Sequence, residues 1–385
     1  MENVKRDLFY IKFIFFLRYF ADSLFYSFTA IYLASLAFGE GLIGNIQSIT
    51  TITCLIVNPI WSYFTKNNKT LRKLLLILAI VEGSLIFAYT NVSGALAIMV
   101  ITSLLATVAA PYYYMLDGYA VTFCEQNDYD YSQIRVMGSI AYTIGVLVGG
   151  VLIDLIGFSY VFGIAGAIFI IGGILTKLLR KLDIPSKNND KNFKEILKNK
   201  WLYIYVITYI FIVTMNVIGD NFVPLLFTNE KALTTTQFSM IQSGVILTEV
   251  ITLIILAKFF RKTKYIKIIF FLGIVYGIRC LLLSFTTLPI AVLIFGATLR
   301  GVAWACVLFV HMKYLTKLVG VKNITSSAIL VSVVASLAQF GVSNFFGYII
   351  EDLGYSFAYR IIAVSCVLAT IIYTTLICIK EKRES

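Results

Sequence analysis

Long apolar segments recur along almost the whole chain, from Phe9 to Ile379. Each is about 20 residues long or more, which is the length that an α-helix needs to cross a bilayer. Inside lipid every backbone polar group must find a partner within the protein, which leaves helices or a closed barrel. The segments are too long and too uniformly apolar for the alternating strands of a barrel. The sequence therefore predicts an all-α membrane protein with many spans.

The composition agrees with this interpretation. Only 14% of the 385 residues are charged and 59% are hydrophobic, whereas a soluble domain carries roughly 25% charged residues. A net charge of +12 would suggest nucleic acid as the partner of a soluble protein. Here the basic residues gather in alternate loops, so we attribute the charge to membrane orientation and expect no nucleic-acid partner. We also expect no cleavable signal peptide, because the first apolar segment is too long and lacks a small-residue cleavage site.

We predict twelve transmembrane helices from the apolar segments. They are 8–35, 41–63, 73–91, 94–120, 132–156, 158–179, 201–228, 234–257, 265–286, 289–316, 323–349 and 355–379. Lysines and arginines cluster before span 1 and after spans 2, 6, 8, 10 and 12, whereas Lys231 is the one loop lysine on the opposite side. This bias predicts a multi-pass protein whose N- and C-termini are cytoplasmic.

The middle loop, 180–200, is the candidate domain boundary, because it is basic, polar and contains Pro185. It separates a predicted N-terminal six-helix bundle, 1–179, from a C-terminal bundle, 201–385. The segment Gly150–Tyr160 matches Gly347–Phe357 in register, glycine for glycine and acid for acid, at the ends of spans 5 and 11. Two related six-helix halves with both termini inside are typical of the major facilitator fold.

Several charged residues lie inside the predicted spans, where each costs about 2.5–3.5 kcal/mol on insertion scales. They are Arg18, Asp22, Glu82, Asp117, Arg135, Asp220, Glu249, Arg279 and Arg300. Their nearly balanced signs suggest pairs across helices. Arg18 and Asp22 are four residues apart, so they share one helix face and can pair. Such a pair is either structural or a coupling or gating pair that faces a cavity.

Asp117 in span 4 and Arg135 in span 5 flank a short turn and lie at broadly similar depth on adjacent helices. A carboxylate beside a guanidinium binds hydroxyl groups well, because the carboxylate accepts hydrogen bonds and the guanidinium donates them in a planar fork. The alternative is a salt bridge that only anchors the two helices.

The segment from Asp117 to Tyr142 resembles spans 4 and 5 of the lactose-permease-like facilitators, which include oligosaccharide:proton symporters and nucleoside symporters. In that family an acidic residue precedes an essential arginine by the spacing seen from Asp117 to Arg135. An aromatic platform for a sugar ring follows at the position of Tyr142, where lactose permease has tryptophan. The resemblance implies that Asp117 and Arg135 bind substrate and that Tyr142 stacks on it. Aspartate replaces the usual, longer glutamate, which argues against lactose itself.

The proton-coupling pair of that family is missing here. Its span 10 histidine and glutamate match Arg300 and Ala303, neither of which can exchange a proton. Glu249 and Arg279 resemble family residues of spans 8 and 9, and a carboxyl there could take a proton and lose it when an arginine approaches. The candidates for proton coupling, or for structural ion pairs, are therefore Glu249, Arg279, Arg300, Asp22, Arg18 and Asp220.

The sequence as a whole predicts a secondary transporter of a small polar solute, sugar-like or nucleoside-like. The family resemblance alone implies that the membrane is a bacterial inner membrane. Proton-coupled symport by alternating access is the leading mechanism; efflux of an amphipathic compound and a transporter-derived solute sensor are the alternatives. We expect no enzymatic activity or catalytic residue, since the loops are short and hold no phosphate-binding motif. The six cysteines are scattered and form no C-x-x-C pair, so we expect no metal site. No cofactor beyond a proton gradient is implied, and we expect a monomer whose partners are the lipid bilayer and its small-molecule substrate.

Overall fold

A computed structural model describes residues 2–64, 71–180, 182, 199–260, 262–320 and 323–384, and the backbone in these ranges is helical with no strand. The predicted middle loop, 180–200, lies largely outside them. The helices of the first half are α1 (Glu2–Phe25), α2 (Thr29–Ser35), α3 (Glu40–Phe64), α4 (Leu71–Tyr89), α5 (Ala95–Asn127), α6 (Ser132–Ile156) and α7 (Phe158–Leu175). Those of the second half are α8 (Lys200–Tyr209), α9 (Met215–Asp220), α10 (Val223–Leu225), α11 (Thr235–Phe259), α12 (Tyr265–Ser284), α13 (Ile290–Val319) and α14 (Ile324–Glu384).

Nine helices in the described ranges are long and apolar enough to cross a membrane. The last of them, Ser327–Ile379, contains two predicted spans, 323–349 and 355–379, on either side of Gly354. α1 and α4 are not among the nine; both coincide with predicted spans, but each carries more charged side chains. The all-helical architecture is therefore confirmed, whereas the count of twelve spans stays a prediction.

Large apolar side chains cover the outer faces of many helices. Leu155 on α6 is 73% exposed and Ile254 on α11 is 61% exposed, and similar residues recur along both helices. Soluble proteins rarely expose contiguous apolar patches of this kind. These faces are therefore the surfaces that contact lipid.

The chain divides into two compact units. Unit 1 comprises Met1–Phe38, Ile49–Asn188 and Leu233–Ser243, and unit 2 comprises Gly39–Ser48, Asn189–Ala232 and Gly244–Ser385. Each unit thus includes one short segment that belongs, by sequence, to the other predicted half. The predicted domain bounds, 1–179 and 201–385, remain predictions.

The core of unit 1 is formed by apolar residues at helical spacing on α1, α4, α5 and α6. Phe15, Leu75, Tyr119 and Phe123 are buried in it. α4 and α7 approach closely at Gly83, where a Cβ atom would lie 2.5 Å from the carbonyl oxygen of Gly166. Small residues at such crossings let helix backbones pack directly in a membrane.

The core of unit 2 is rich in tyrosine. Tyr205, Tyr314 and Tyr373 are buried among apolar residues of α8, α12, α13 and α14, and the Tyr373 hydroxyl donates to the Tyr314 hydroxyl at 2.7 Å. The predicted span 201–228 is not one regular helix. Wider π-helical turns at Ile210–Thr214 and Leu226–Glu230 interrupt it, and such turns are frequent at functional sites.

The matched segments of the two halves share an unusual backbone feature. Gly157 ends α6 with φ 85° and ψ 165°, and Gly354 breaks α14 with φ 79° and ψ 165°. Positive φ values of this kind are accessible to glycine and strained for other residues. The sequence match therefore corresponds to the same local corner at both positions.

The acidic residues of the matched segments also make the same kind of hydrogen bond. In unit 1, Asp154 Oδ2 accepts the backbone N–H of Thr236 at 2.8 Å. In unit 2, Glu351 Oε2 accepts the backbone N–H of Gly41 at 2.9 Å. Each carboxylate thereby satisfies one of the N–H groups that a helix leaves unpaired in its first turn. We refer to these two interactions as the helix-end contacts.

Candidate functional site

A buried charged cluster, the Arg18 centre, joins α1, α4 and α5 within unit 1. Arg18 Nη1 and Nη2 donate to Glu82 Oε2 and Oε1 at 2.5 and 3.0 Å, which is a bidentate fork. Arg18 Nε lies 3.2 Å from Asp22 Oδ2, one helical turn along α1. The three side chains are at most 3% exposed. The sequence placed Arg18 and Asp22 on one face, but it gave no partner for Glu82.

Aromatic side chains surround this cluster. Tyr26 donates to Glu82 Oε1 at 3.1 Å, and Tyr113 donates to Asp22 Oδ2. The Arg18 guanidinium carbon lies 4.3 Å from the ring centroid of Tyr113 and 4.6 Å from those of Tyr112 and Phe169. Rings at these distances stabilise a desolvated guanidinium through cation–π attraction.

The hydrogen bonds of the two carboxylates are unequal. Both oxygens of Glu82 accept hydrogen bonds, from Arg18 and from Tyr26. Asp22 Oδ1 is buried and accepts none from the protein groups that the structure describes. Arg18 Nε is also without a properly aligned hydrogen bond, although Asp22 Oδ2 is close to it. Both oxygens of Glu82 are therefore hydrogen-bonded within the centre, whereas only one oxygen of Asp22 is.

A second charged cluster, the Asp220 centre, lies partly buried in unit 2. Arg279 donates to Asp220 Oδ1, and Arg300 Nε donates to Asp220 Oδ2 at 2.7 Å. Arg279 also donates to Asn216 Oδ1 at 3.2 Å. Asn216 and Asp220 lie on α9, directly after the π-helical turn at Ile210–Thr214. Sequence reasoning did not single out Asn216, because an uncharged polar residue in an apolar helix gives little indication of its partner.

The Asp220 centre gives Arg279 a partner that the sequence analysis did not pair with it. From the sequence, Glu249 could form a switch with Arg279 or Arg300, and this stays a prediction; in the structure Asp220 bonds both arginines directly. Glu249 interacts electrostatically with Arg300. The Arg300 side chain is a quarter exposed, and its guanidinium carbon lies 5.8 Å from the ring centroid of Trp304.

Each centre is assembled around one aspartate by three helices. α1 contributes Asp22 and α9 contributes Asp220, while α4 contributes Glu82 and α12 contributes Arg279. A further side chain reaches each aspartate from α5 and from α13 respectively. The charges differ, because the partner on α4 is an acid and the partner on α12 is a base. The two centres therefore hold opposite charge balances.

The predicted solute-binding residues all lie in unit 1, and no ion pair joins them in the described part of the chain. Asp117 Oδ1 accepts from the Tyr131 hydroxyl at 2.9 Å. The Arg135 guanidinium carbon lies 4.6 Å from the ring centroid of Tyr19. The Tyr142 hydroxyl lies 2.9 Å from Ser27 Oγ. The simple anchoring salt bridge considered from the sequence is therefore not the arrangement found.

Two local features position these side chains. Burial, reinforced by the hydrogen bond to Asp117, raises the pKa of Tyr131 above its ordinary value, so its hydroxyl remains a donor at neutral pH. Tyr19 can lie flat against α6 because residue 138 is glycine, where a Cβ atom would come within 2.6 Å of the tyrosine ring. Tyr19 was not recognised from the sequence, because tyrosine is common throughout the spans.

Comparisons with known proteins show which family this architecture belongs to. A family model described as Major Facilitator Superfamily matches residues 11–321. The nucleoside transporter NupG has a similar structure, with a TM-score of 0.83, 14% identity, and coverage of 96% of this chain and 99% of that chain. PepTSo, a POT family transporter, gives 0.78 and 10%, with 99% of both chains covered. A bacterial homolog of the human lysosomal transporter Spinster gives 0.71 and 12%, covering 97% of this chain and 96% of that one. None of the curated proteins compared matches the sequence.

Proposed function

Because this chain belongs to the major facilitator superfamily, we propose that it is a proton-coupled secondary transporter of a nucleoside-like or sugar-like solute. The family and the similar structures indicate a transporter and not an enzyme. Transporters of this fold expose a binding site to each side of the membrane alternately. We further propose symport into a bacterial cell, with both termini in the cytoplasm.

The observation that carries the proposal is the exposure of Arg135 and its distance from any carboxylate. Its side chain is exposed on α6, and no carboxylate among the described residues lies within ion-pair distance of it. A charge in a membrane span is costly, so an arginine there needs a polar partner or a function. Arg135 can donate hydrogen bonds to the hydroxyl groups of a ring-shaped solute. Asp117, on the neighbouring helix, can accept hydrogen bonds from the same hydroxyl groups.

Aromatic rings favour a flat or ring-shaped solute at this position. Tyr19 lies beneath Arg135, Tyr131 is bonded to Asp117, and Tyr142 lies further along α6. A nucleobase or a sugar ring stacks on such surfaces while its hydroxyls bond to the charged pair. The likeness to the nucleoside transporter NupG supports testing nucleosides first and sugars second.

A thermal-shift screen of the purified protein tests the proposal. Uridine, adenosine, lactose and an aromatic acid are each added at increasing concentration. Binding to the native state raises Tm by an amount set by the ratio of ligand concentration to Kd. For the solute that stabilises the protein, we expect Asp117→Asn and Arg135→Lys to weaken Kd by about 10- to 100-fold, because each removes a charge-assisted or bidentate hydrogen bond.

Two exposed residues outside the site provide matched controls. Asp130→Asn and Arg6→Lys make the same chemical changes on exposed residues at the surface and should leave Kd unchanged. Unchanged affinity in Asp117→Asn and Arg135→Lys would refute the assigned site. Stabilisation by none of the four solutes would point to efflux of an amphipathic compound. Binding without solute counterflow in proteoliposomes would point to a sensor.

A further inference from the structure

The Arg18 centre contains more acidic than basic groups. Arg18 supplies one positive charge, while Asp22 and Glu82 supply two carboxyls, and all three side chains are buried. We propose that this centre binds one exchangeable proton, carried by Asp22 on Oδ1. The bound proton converts the Asp22 carboxylate into a neutral carboxylic acid, so that the net charge of the centre rises from −1 to 0. The proton comes from water and returns to water when it is released.

Among the described residues around the two carboxyls, no second cation balances the acids. Around the two carboxyls, the groups in contact within the described residues are Arg18, Tyr26 and Tyr113, while Tyr112 and Phe169 lie over the guanidinium. Tyrosine hydroxyls donate hydrogen bonds without adding charge. A buried carboxylate that lacks its own cation is unfavourable, and taking up a proton relieves this.

The hydrogen bonds identify Asp22 as the proton carrier. Glu82 accepts three hydrogen bonds across its two oxygens, so neither oxygen is left without a donor. Asp22 accepts on Oδ2 only, and Oδ1 has no donor in the described part of the chain. A proton on Oδ1 therefore disrupts none of the hydrogen bonds present. Once the proton leaves, Arg18 Nε, 3.2 Å from Oδ2, is the donor that Asp22 can recruit.

The Asp220 centre provides an internal comparison. Asp220 lies between Arg279 and Arg300, each of which donates to one of its oxygens. Two cations thus face one acid in the Asp220 centre, whereas one cation faces two acids in the Arg18 centre. An excess of acid that one proton would balance is therefore a feature of the Arg18 centre and not of the Asp220 centre.

Aromatic contacts connect the Arg18 centre to the proposed solute site, and this part of the inference rests on the proposed function. The rings of Tyr113 and Tyr19 have their centroids 5.8 Å apart. Tyr113 bonds Asp22 on one side, and Tyr19 lies beneath Arg135 on the other. A solute that displaces Arg135 would move Tyr19 and hence Tyr113. Loss of the Tyr113 hydrogen bond would change the proton affinity of Asp22.

Infrared titration of the purified, solute-free protein tests the proton site without knowledge of the substrate. We expect the wild type to show a C=O stretch of a buried protonated carboxyl that disappears on titration to alkaline pH. Asp22→Asn should remove this band, whereas Asp130→Asn, an exposed control, should retain it. Asp22→Glu should retain the band at a shifted frequency, which guards against loss of the band through misfolding of Asp22→Asn.

The outcomes separate this inference from the proposed function. A wild type without the band, or a band that survives in Asp22→Asn, would overturn the proton site whatever the solute. Loss of the band in Glu82→Gln but not in Asp22→Asn would likewise overturn the assignment to Asp22. If uridine stabilises the protein, Asp22→Asn proteoliposomes should exchange uridine yet fail to accumulate it in a pH gradient. Accumulation equal to that of the wild type would refute coupling through this centre.

Discussion

Arg18 is the cation for two buried acids. The stability of unit 1 therefore depends on Arg18 more than on exposed arginines. Its fork holds Glu82 from α4, and its Nε lies beside Asp22 on its own helix. Breaking a buried ion pair by removing one partner leaves an uncompensated charge. The guanidinium also covers the rings of Tyr112 and Tyr113. Its removal therefore affects packing as well as charge.

Replacing Arg18 should destabilise the protein strongly. We expect Arg18→Gln to lower the free energy of unfolding by about 3–5 kcal/mol near neutral pH, because Asp22 and Glu82 lose their cation. The loss should shrink as pH falls, since protonated carboxyls need no cation. Thermal unfolding in detergent across a pH series measures both effects.

The matched control is Arg6→Gln, whose side chain is 61% exposed. This change should alter stability by no more than about 0.5 kcal/mol, as is usual for surface substitutions. An Arg18→Gln protein as stable as Arg6→Gln would show that the buried acids do not require the arginine.

The residue scale also shows what the sequence could and could not provide. Helical spacing placed Arg18 and Asp22 on one face, because residues four apart are neighbours on a helix. Glu82 lies 64 residues further along the chain from Arg18, so its partner depends on how α1 and α4 cross. For the same reason the sequence could not show that Asp220 bonds Arg279 directly.

At the scale of helices, the helix-end contacts combine a close backbone approach with a charged cap. A Cβ atom at residue 347 would lie 2.4 Å from the backbone carbonyl oxygen of Glu40, at the start of α3. Four residues beyond Gly347, one helical turn along the same helix, Glu351 accepts the backbone N–H of Gly41. Glycine at 347 is therefore what lets the acid reach the first turn of α3.

A pair of glycines on α14 tests this contact. We expect Gly347→Ala to destabilise the native protein by about 1–3 kcal/mol, because a backbone atom cannot move aside cheaply. Gly341→Ala is the matched variant on the same helix, where the added Cβ meets nothing within 4 Å. It should not destabilise the protein, and the loss of a glycine from a helix should raise stability by up to about 1 kcal/mol. Equal Tm values for the two variants would contradict the close approach.

The helices themselves were largely predictable. The predicted span 132–156 coincides with Ser132–Ile156, because a long apolar segment between polar turns leaves little choice of bounds. The predicted span 8–35 divides into α1 and α2, and 201–228 contains π-helical turns. These local departures from a regular α-helix depend on side-chain packing and on the carbonyl group to which each backbone N–H donates. Apolar periodicity does not encode either of them.

At the scale of the whole molecule, the distribution of basic residues predicts the orientation of the chain in the membrane. The lysines and arginines that alternate between loops predict cytoplasmic termini, and Lys231 lies in a loop of the opposite side. The described helices have apolar lipid-facing surfaces that do not themselves distinguish one side of the membrane from the other. Orientation is therefore a property of the loops.

Reporter fusions test this orientation. Alkaline phosphatase, which is active only outside the cytoplasm, should be active when fused after Lys231 and inactive at the C-terminus. Green fluorescent protein at the C-terminus should fluoresce, because it matures in the cytoplasm. The reverse pattern would invert the topology and, with it, the direction assigned to transport.

The placement of Trp304 beneath Arg300 has an optical consequence. The chain has three tryptophans, and the other two are Trp61 and Trp201. Replacing those two with phenylalanine would leave an emission spectrum that comes from Trp304 alone. Because the Arg300 guanidinium lies over this indole, any event that draws Arg300 away from Asp220 would alter the emission wavelength. The protein thus contains an intrinsic fluorophore with which the Asp220 centre can be followed in real time, without an attached dye.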